Sequence, residues 1–195
     1  MQKKAVTGIL LAGGKSRRMG KDKGFLELDK RALYTFPKVV LEKTCSEIII
    51  STCKPKGTFG EYPHVCDKKQ DIGPLMGILT CLEQSSYEFN IILSYDMPLV
   101  DPRLINDLIE LGNNHDLVIP ALRIDQPQPL CGLYKKSLIP VIKNAFKKGI
   151  TAPRKLIPLA NSRIHVIDHS APYFTEDMFI NINTQDDLIR ITHKY

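Results

Sequence analysis

An apolar run that ends in two glycines and then becomes strongly basic is the feature that most restricts this chain. Residues 8–24 read GILLAGGKSRRMGKDKG. Glycines allow tight turns and let backbone N–H groups approach a bound oxygen closely. Such N–H groups suit a polyphosphate when Lys and Arg lie beside them. The run has five cations, and its pattern predicts a strand followed by a nucleoside triphosphate loop: Lys15, Arg17, Arg18, Lys21 and Lys23.

Two better-known phosphate motifs do not fit this run. The P-loop pattern is not met, because no Gly-Lys-Ser/Thr closes the loop at the required spacing. The dinucleotide fingerprint is not met either, because Gly13 and Gly14 are adjacent and Gly20 follows six residues later. A Gly-Gly pair alone after a strand is most often a simple turn. The interpretation therefore depends on the whole run.

Apolar runs alternate with segments of helical periodicity along the chain. Strand–helix alternation implies right-handed crossovers and a mostly parallel, Rossmann-like sheet in a three-layer α/β/α fold. We predict that residues 1–195 form a single domain of this α/β class. The predicted strands are 6–11, 47–52, 89–93, 117–120, 130–134, 164–167 and 179–182, and the predicted helices are 32–43, 75–84, 102–111, 138–148 and 184–191.

Composition excludes several classes of protein. With 43% hydrophobic and 25% charged residues, the chain has the composition of a soluble globular domain. No apolar run is long enough for a membrane span, and the N-terminus lacks a signal-peptide pattern. The net charge is +6, but the cations are dispersed and not interleaved with aromatic residues, so we expect no nucleic-acid partner. The five scattered cysteines contain no Cys-x-x-Cys and predict reduced thiols in the cytoplasm.

A single aspartate follows the third predicted strand, in the segment ILSYDMP at residues 92–98. In a parallel sheet its side chain would lie at the carboxyl edge, where ligands bind. A carboxylate near a triphosphate is repulsive unless a cation lies between them, and Mg²⁺ binds one or two carboxylates plus phosphate oxygens. The alternative is a turn or N-cap aspartate. Because Asp101 is placed to cap the next helix, Asp96 is the aspartate that is freer to bind a cation.

The loop residues also match a known signature. Residues 11–23 agree position for position with Leu-Ala-Gly-Gly-x-Ser-x-Arg-Met-Gly-x-Asp-Lys. By this match the chain resembles the molybdenum cofactor guanylyltransferases, the MobA family of nucleotidyltransferases. Asp96-Met-Pro, the Gly-Pro-Leu-x-Gly of residues 73–77, and the segments 128–134 and 179–184 resemble further parts of the family. The resemblance covers nearly the whole chain.

The resemblance implies a fold, an activity and its partners. The fold would be that of the nucleotide-diphospho-sugar transferases. The activity would be transfer of GMP from GTP to the terminal phosphate of molybdopterin or Mo-molybdopterin, with Mg²⁺ as cofactor and pyrophosphate released. The N-terminal part would bind the nucleotide and the C-terminal part the acceptor. Proteins of molybdenum cofactor biosynthesis and molybdoenzymes would be partners in the cytoplasm, and nucleic acid and membranes would not.

The resemblance also assigns residues to roles. Catalysis would use Arg18, Lys23 and Asp96, and Asp96 would hold the metal. The residues themselves add a prediction for the acceptor: on a strand Asn181 and Asn183 would share one face and could hold it, although Asn183 is also a candidate helix cap. Arg154 is predicted to bind the phosphate of the acceptor, with a place on the surface as the alternative. Ser51 stands where relatives often carry Asn. The nucleotide would be bound by Leu11, Ala12, Gly13, Gly14, Lys23, Ser51, Asp67, Gly73, Pro74, Leu75, Gly77 and Asp96.

Three alternatives remain open from the residues. The first is a related nucleotidyltransferase that uses CTP with molybdopterin, or that joins a nucleotide to a sugar phosphate. The second belongs to another class, a nucleotide- or cofactor-binding protein without catalysis, which would release no pyrophosphate. The third is a nucleic-acid-binding module, which would show strongly salt-dependent affinity for DNA.

Overall fold

The computed structural model describes residues 4–13, 25–67 and 72–192. Within these ranges the chain forms a central sheet of seven strands and a separate antiparallel pair. The pair consists of β2 (Glu27–Leu28) and β3 (Arg31–Ala32). The central strands are β1 (Lys4–Leu11), β4 (Cys45–Ser51), β5 (His64–Val65), β6 (Phe89–Ser94), β7 (Leu117–Ala121), β8 (Cys131–Lys135) and β9 (Ser162–Val166).

Helices connect most of these strands. Short 3₁₀ helices cover Lys136–Leu138 and Pro153–Leu159. None of the helices in the described ranges is long and apolar enough to cross a membrane. The α-helices are α1 (Thr35–Thr44), α2 (Pro74–Gln84), α3 (Pro102–Leu111), α4 (Ile139–Lys147) and α5 (Gln185–Thr192).

The sheet is mostly parallel, as predicted. Its strand order is β5-β4-β1-β6-β8-β7-β9. Only β8 runs antiparallel to its neighbours, β6 and β7. The reason is the connection from β7 to β8, residues 122–130, which contains no helix and therefore does not carry the chain back for a parallel crossover.

Side chains alternate across the two faces of β1 and build two apolar layers. Val6 and Leu10 belong to the core that packs beneath α1 and α3. Ile9 and Leu11 belong to the core beneath α2 and α4. Because successive strand residues point to opposite faces, one continuous apolar run buries both faces of the sheet. The result is the predicted three-layer arrangement.

The order in which strands are added to the sheet reverses at β1. The crossover through α1 leads from β1 to β4 on one side, whereas β6 lies on the other side and leads away through α3. Ligands of such sheets bind in the crevice at the carboxyl ends of the two strands where the order reverses. Leu11, the last residue of β1, is paired with Ser94 of β6 and with Ser51 of β4. This edge is therefore the expected site.

The predicted strand at residues 179–182 does not form. Phe179 closes a turn and residues 180–183 are irregular, although Phe179 and Ile182 are buried as expected. The Ile180 N–H bonds to the Asp177 carbonyl, so the backbone turns instead of extending. The expectation that Asn181 and Asn183 share one face of a strand is wrong, because none of the described strands pairs with this segment to hold it extended.

The prediction that all five cysteines are reduced is wrong for two of them. Cys53 and Cys66 form a disulfide with their Cα atoms 4.4 Å apart. They meet because β4 and β5 are parallel neighbours, and the Thr52 N–H bonds to the Val65 carbonyl at 2.8 Å. Their separation of 13 residues gave no sign of pairing. The other three remain buried thiols, as expected: Cys45, Cys81 and Cys131.

Candidate active site

The glycine run begins at the predicted carboxyl edge. Ala12 is buried, and its N–H donates to the Ser51 carbonyl at 3.0 Å. Gly13 is exposed, and a Cβ at this position would lie 3.5 Å from the same carbonyl oxygen. The end of β1 is thus held against the end of β4, with the loop starting at the crevice. Gly14, Arg18 and Lys23 lie outside the described residues.

Asp96 lies in the turn that follows β6. The Tyr95 N–H donates to the Leu11 carbonyl at 3.1 Å, which ties this turn to the end of β1 beside the start of the glycine run. The carboxyl group of Asp96 is half-buried, with Oδ1 shielded from solvent. Asp101 caps α3 as predicted, since its Oδ1 accepts from the Arg103 N–H at 2.8 Å. Asp96 therefore has no capping role in this helix.

The donor set fits Mg²⁺ bound together with a nucleotide. In residues 4–13, 25–67 and 72–192 there is no group of three or more His, Cys, Asp or Glu that would hold a metal alone. Mg²⁺ does not need one, because it takes one or two carboxylates and completes its shell with phosphate oxygens and water. A half-buried carboxylate at the mouth of the crevice meets that requirement. Asp96 is the residue that would hold the ion.

The first turn of α2 brings Gly77 into contact with Ser51 and Asp67. A Cβ on Gly77 would lie 2.7 Å from Ser51 Oγ and 3.0 Å from Asp67 Oδ1. The absent side chain thus leaves room for both polar groups. Ser51 is 3% exposed, and burial raises the pKa of Asp67 above its usual value. We call Ser51, Asp67 and Gly77 the α2 polar cluster.

Cys81 belongs beside this cluster and was missed by sequence reasoning. It is fully buried, and burial raises the pKa of its thiol to about 12, against the effect of a hydrogen bond from the Ser51 side chain. The thiol is therefore protonated at neutral pH. Cys81 lies four residues after Gly77, on the same face of α2. The predicted helix at 75–84 contained that signal.

The residues at the start of α2 differ in whether their side chains are accessible to a ligand. Gly73 adopts φ +108, a conformation that favours glycine, and Pro74 occupies the first turn. Gly73 and Pro74 are exposed, whereas the Leu75 side chain is fully buried in the core. Only the backbone of Leu75 is therefore available to a nucleotide. A Cβ on Gly73 would lie 3.5 Å from the Thr151 carbonyl.

The C-terminal segment at residues 181–183 lies beside Asp96. The Ile182 N–H donates to the Asp96 carbonyl at 2.9 Å, so Asn181 and Asn183 flank the residue bonded to the metal candidate. Asn181 is half-buried and its amide donates to the Phe179 carbonyl at 3.4 Å. Asn183 is exposed, and its amide donates to the Asn181 carbonyl at 3.4 Å.

Thr184, rather than Asn183, supplies the side chain that caps α5. Its Oγ1 accepts from the Asp187 N–H at 3.1 Å, and the Asp187 carboxylate accepts from the Thr184 N–H at 2.8 Å. This reciprocal pair is a capping box. The Asp187 carboxylate also accepts from the Asn183 N–H at 2.9 Å. The box leaves the Asn183 side chain outside the capping role.

Arg154 is the second residue of the 3₁₀ helix after α4 and lies on the surface. Its guanidinium donates to the Asp125 carbonyl at 2.7 Å. Asp125 belongs to the loop after β7, which leaves the same edge of the sheet as the turn after β6, because β6 and β7 both run antiparallel to β8. Arg154 is thus held near the edge by a backbone oxygen.

Two other features lie apart from the predicted site residues. His165 is on β9, and the ring of His169 packs against Phe174 with centroids 4.4 Å apart. A groove of about 540 Å³ lies between α2 and α4 and is lined by none of the predicted site residues. The polar groups that follow several strands converge at the carboxyl edge and not in this mainly apolar groove.

Known proteins resemble this chain over nearly its whole length. Residues 8–164 match the family model of the MobA-like NTP transferase domain. Two relatives carry the name "Probable molybdenum cofactor guanylyltransferase". The one from Methanosarcina mazei is 31% identical, covering 93% of this chain and 88% of its own. The one from Flavobacterium johnsoniae is 29% identical, covering 94% of both chains.

A solved structure has the same fold. Molybdopterin-guanine dinucleotide biosynthesis protein A from Archaeoglobus fulgidus superposes with a TM-score of 0.78 at 25% identity. The match covers 96% of this chain and 97% of that one. The three-layer architecture is therefore that of the nucleotide-diphospho-sugar transferase type.

Proposed function

Because this chain belongs to the MobA-like NTP transferase family, we propose that it transfers GMP from GTP to the terminal phosphate of molybdopterin or Mo-molybdopterin. Pyrophosphate is the second product. The N-terminal part of a single domain binds GTP, and the C-terminal part binds the acceptor in the cytoplasm. The relatives named above support the acceptor and the nucleotide, since their names specify both the cofactor and guanylyl transfer.

One observation carries this proposal. Segments that follow β1, β4, β5 and β6 meet at one edge, joined by the contacts of Ala12 with Ser51, of Tyr95 with Leu11, and of Gly77 with Ser51 and Asp67. That edge combines a glycine run for phosphate, a polar cluster for the nucleoside and a carboxylate for a cation. A nucleoside triphosphate with its metal needs these three elements together.

The chain's own groups divide the work on the nucleotide. The backbone N–H groups of Gly13 and Gly14 bind phosphate oxygens, while Arg18 and Lys23 neutralise charge on the triphosphate and on the departing pyrophosphate. The α2 polar cluster holds the nucleoside. Asp96 would hold Mg²⁺, which when bound would neutralise charge at the phosphates. The walls of the nucleotide site are completed by Leu11, Ala12, Gly73, Pro74 and the backbone of Leu75.

The transfer needs orientation more than acid–base chemistry. A terminal phosphate oxygen of the acceptor attacks the α-phosphorus of GTP, and the bond from that phosphorus to the bridging oxygen of pyrophosphate breaks. A phosphate monoester is already anionic near neutral pH, so no strong general base is required. The acceptor is oriented by Asn181 and Asn183, which lie beside Asp96, and by Arg154, which lies beside the loop after β7. Catalysis is then positioning and charge neutralisation.

The test is an assay of pyrophosphate and product with each nucleotide in turn. The protein is incubated with Mg²⁺ and either molybdopterin or Mo-molybdopterin, and with GTP, CTP, ATP or UTP separately. We expect release of pyrophosphate and a guanylylated pterin with GTP. Lys23→Ala should remove most turnover while the folded state persists, and Lys56→Ala, which removes an exposed lysine of the loop after β4, is the matched control.

Each other result has a clear meaning. Turnover with CTP alone would leave the reaction type but change the substrate to that of a cytidylyltransferase. Turnover only when a sugar phosphate replaces the pterin would change the acceptor. Binding of Mg-GTP without pyrophosphate release from any acceptor would favour the non-catalytic class.

A further inference from the structure

The Cys53–Cys66 disulfide joins the two segments that carry polar residues of the α2 polar cluster. Cys53 lies two residues after Ser51, and Cys66 directly precedes Asp67. The bond therefore cross-links the chain just beyond β4 to the chain just beyond β5. Any change in this link acts on the position of Asp67 relative to Ser51.

The backbone just before Asp67 is held by a short strand, whereas the segment is also anchored by the buried side chain of Val65 and by the hydrogen bond that Tyr62 Oη donates to Glu42 at 2.8 Å. Strand β5 has only two residues and lies at the edge of the sheet, where β4 is its one neighbour among the described strands. The pairing includes the Ile50 N–H to the Pro63 carbonyl at 2.9 Å and the Thr52 N–H to the Val65 carbonyl at 2.8 Å. A strand of this length is marginal unless something else holds it. The disulfide is in the position to do so.

The two linked cysteines are also the accessible ones. Both Cys53 and Cys66 are exposed, whereas Cys45, Cys81 and Cys131 are buried. Exchange requires that a thiolate reach a disulfide sulfur, so exposure selects this pair. Burial also raises the pKa values of Cys81 and Cys131 to about 12, which keeps both as unreactive thiols.

We propose that Cys53 and Cys66 form a reversible thiol–disulfide exchange site that sets the order of the 52–67 segment and, through Asp67, the affinity for the nucleotide. Its reaction partners are low-molecular-weight disulfides and thiols. The effect on nucleotide affinity rests on the function proposed above. The disulfide form is the tighter-binding form, because it holds Asp67 beside Ser51 and Gly77 before the ligand arrives.

The exchange balances without any further reagent. One cysteine thiolate attacks a small disulfide, forming a mixed disulfide and releasing one small thiolate. The second cysteine thiolate attacks the protein sulfur of that mixed disulfide and releases the other small thiolate. The two protons lost by the cysteines pass to the two released thiolates. Two protein thiols are oxidised, and one small disulfide is reduced to two thiols.

The experiment compares the oxidised and reduced forms of the whole protein with a Cys53→Ser/Cys66→Ser variant. Glutathione disulfide is the oxidant and dithiothreitol the reductant. Peptide mapping identifies the linked residues, amide hydrogen exchange follows residues 52–67, and calorimetry measures Mg-GTP binding. We expect the Cys53–Cys66 link to form and break reversibly, slower exchange in the oxidised form, and a Kd for Mg-GTP about tenfold lower in that form.

The double variant should match reduced wild type in every measurement and should not respond to either reagent. If it fails to fold, the reversible cycle of the wild type still decides. The proposal is overturned if the link does not form. It is also overturned if the link forms but leaves either the amide exchange of residues 52–67 or the Kd for Mg-GTP unchanged. If Mg-GTP binds in neither redox state, the proposed function fails, and amide exchange alone decides whether the disulfide orders this segment.

Discussion

The backbone N–H of Ile182 donates a 2.9 Å hydrogen bond to the carbonyl oxygen of Asp96. These residues are 86 positions apart in the sequence, yet the contact places the C-terminal segment beside the turn that follows β6. Ile182 is fully buried, so the contact is part of the folded core. Two of the predicted acceptor residues, Asn181 and Asn183, are joined through it to the predicted metal ligand.

Replacing Asp96 should remove activity without removing the fold. Asp96→Asn keeps the backbone carbonyl that bonds Ile182 but loses the charge that attracts a cation, so kcat should fall by about 100-fold or more. The melting temperature should stay close to that of wild type. Steady-state kinetics and thermal unfolding measure the two effects.

Asp101→Ala is the matched control, because it removes a nearby aspartate with a structural role. The loss of the α3 cap should cost about 1 kcal/mol of the free energy of unfolding. Turnover of the folded protein should be preserved. Normal turnover in Asp96→Asn would remove Asp96 from the catalytic assignment.

A methyl group on Gly77 should weaken nucleotide binding. Its Cβ would lie 2.7 Å from Ser51 Oγ and 3.0 Å from Asp67 Oδ1, so both groups must move. Ala favours a helix over Gly by about 1 kcal/mol, so α2 itself should not be lost. We expect the KM for GTP to rise about tenfold, which corresponds to about 1.4 kcal/mol of binding free energy, with kcat changed less.

Gly8→Ala tests whether steric crowding alone explains that result. Its Cβ would lie 3.1 Å from Cys45 Sγ and from Leu41 side-chain atoms, inside the core and away from the carboxyl edge. It should cost about 1–3 kcal/mol of stability and leave the KM for GTP unchanged. Equal KM effects in both variants would show that Gly77 has no specific role at the site.

Loss of the Asn181 amide should affect the acceptor and not GTP. Asn181 precedes the residue that bonds Asp96, and it is half-buried. Removing one hydrogen bond to the acceptor should raise its KM about threefold to tenfold in Asn181→Ala. Kinetics with each substrate varied in turn separate the two KM values. Asn144→Ala, on the exposed surface of α4, is the control, and a rise in the KM for GTP alone would contradict the assignment.

The capping box of α5 should make this helix sensitive to acid. Hydrogen bonds from the Asn183 N–H and from Thr184 lower the pKa of Asp187 below its ordinary value of 3.8. A carboxyl group whose pKa is lower in the folded state stabilises the fold at pH values above its ordinary pKa. The contribution is lost as the pH falls through the folded-state pKa.

Amide exchange of α5 measures this effect. Asp187→Ala should speed amide exchange in α5 at neutral pH, because losing the cap costs about 1 kcal/mol of local stability. Lowering the pH should change amide exchange less in this variant than in wild type. Asp186→Ala removes a carboxylate from the same turn and should keep the acid response. An identical acid response in Asp187→Ala and wild type would exclude the capping box as its source.

Several features of the fold and site followed from local patterns in the sequence. The continuous apolar run before Gly13 predicted β1, and Asp101-Pro102 predicted the start of α3, because strand periodicity and helix caps depend on residues close together in the chain. Asp96 was predicted as a metal ligand in part from its place after a buried strand, and that role stays a prediction. The alternation of strands and helices was sufficient for the fold class.

The tertiary structure decided which distant segments meet. Residues 179–182 had the alternation of a strand, but a strand needs a neighbour with open backbone groups, and the segment instead makes one bond to Asp96. Cys53 and Cys66 were ordinary single cysteines until β4 and β5 paired. Gly77 had no visible partner until α2 packed beside Ser51 and Asp67. By itself the sequence determined the elements and the chemical groups at their ends, because those depend on neighbouring residues; the contacts between groups depend on packing across the whole chain.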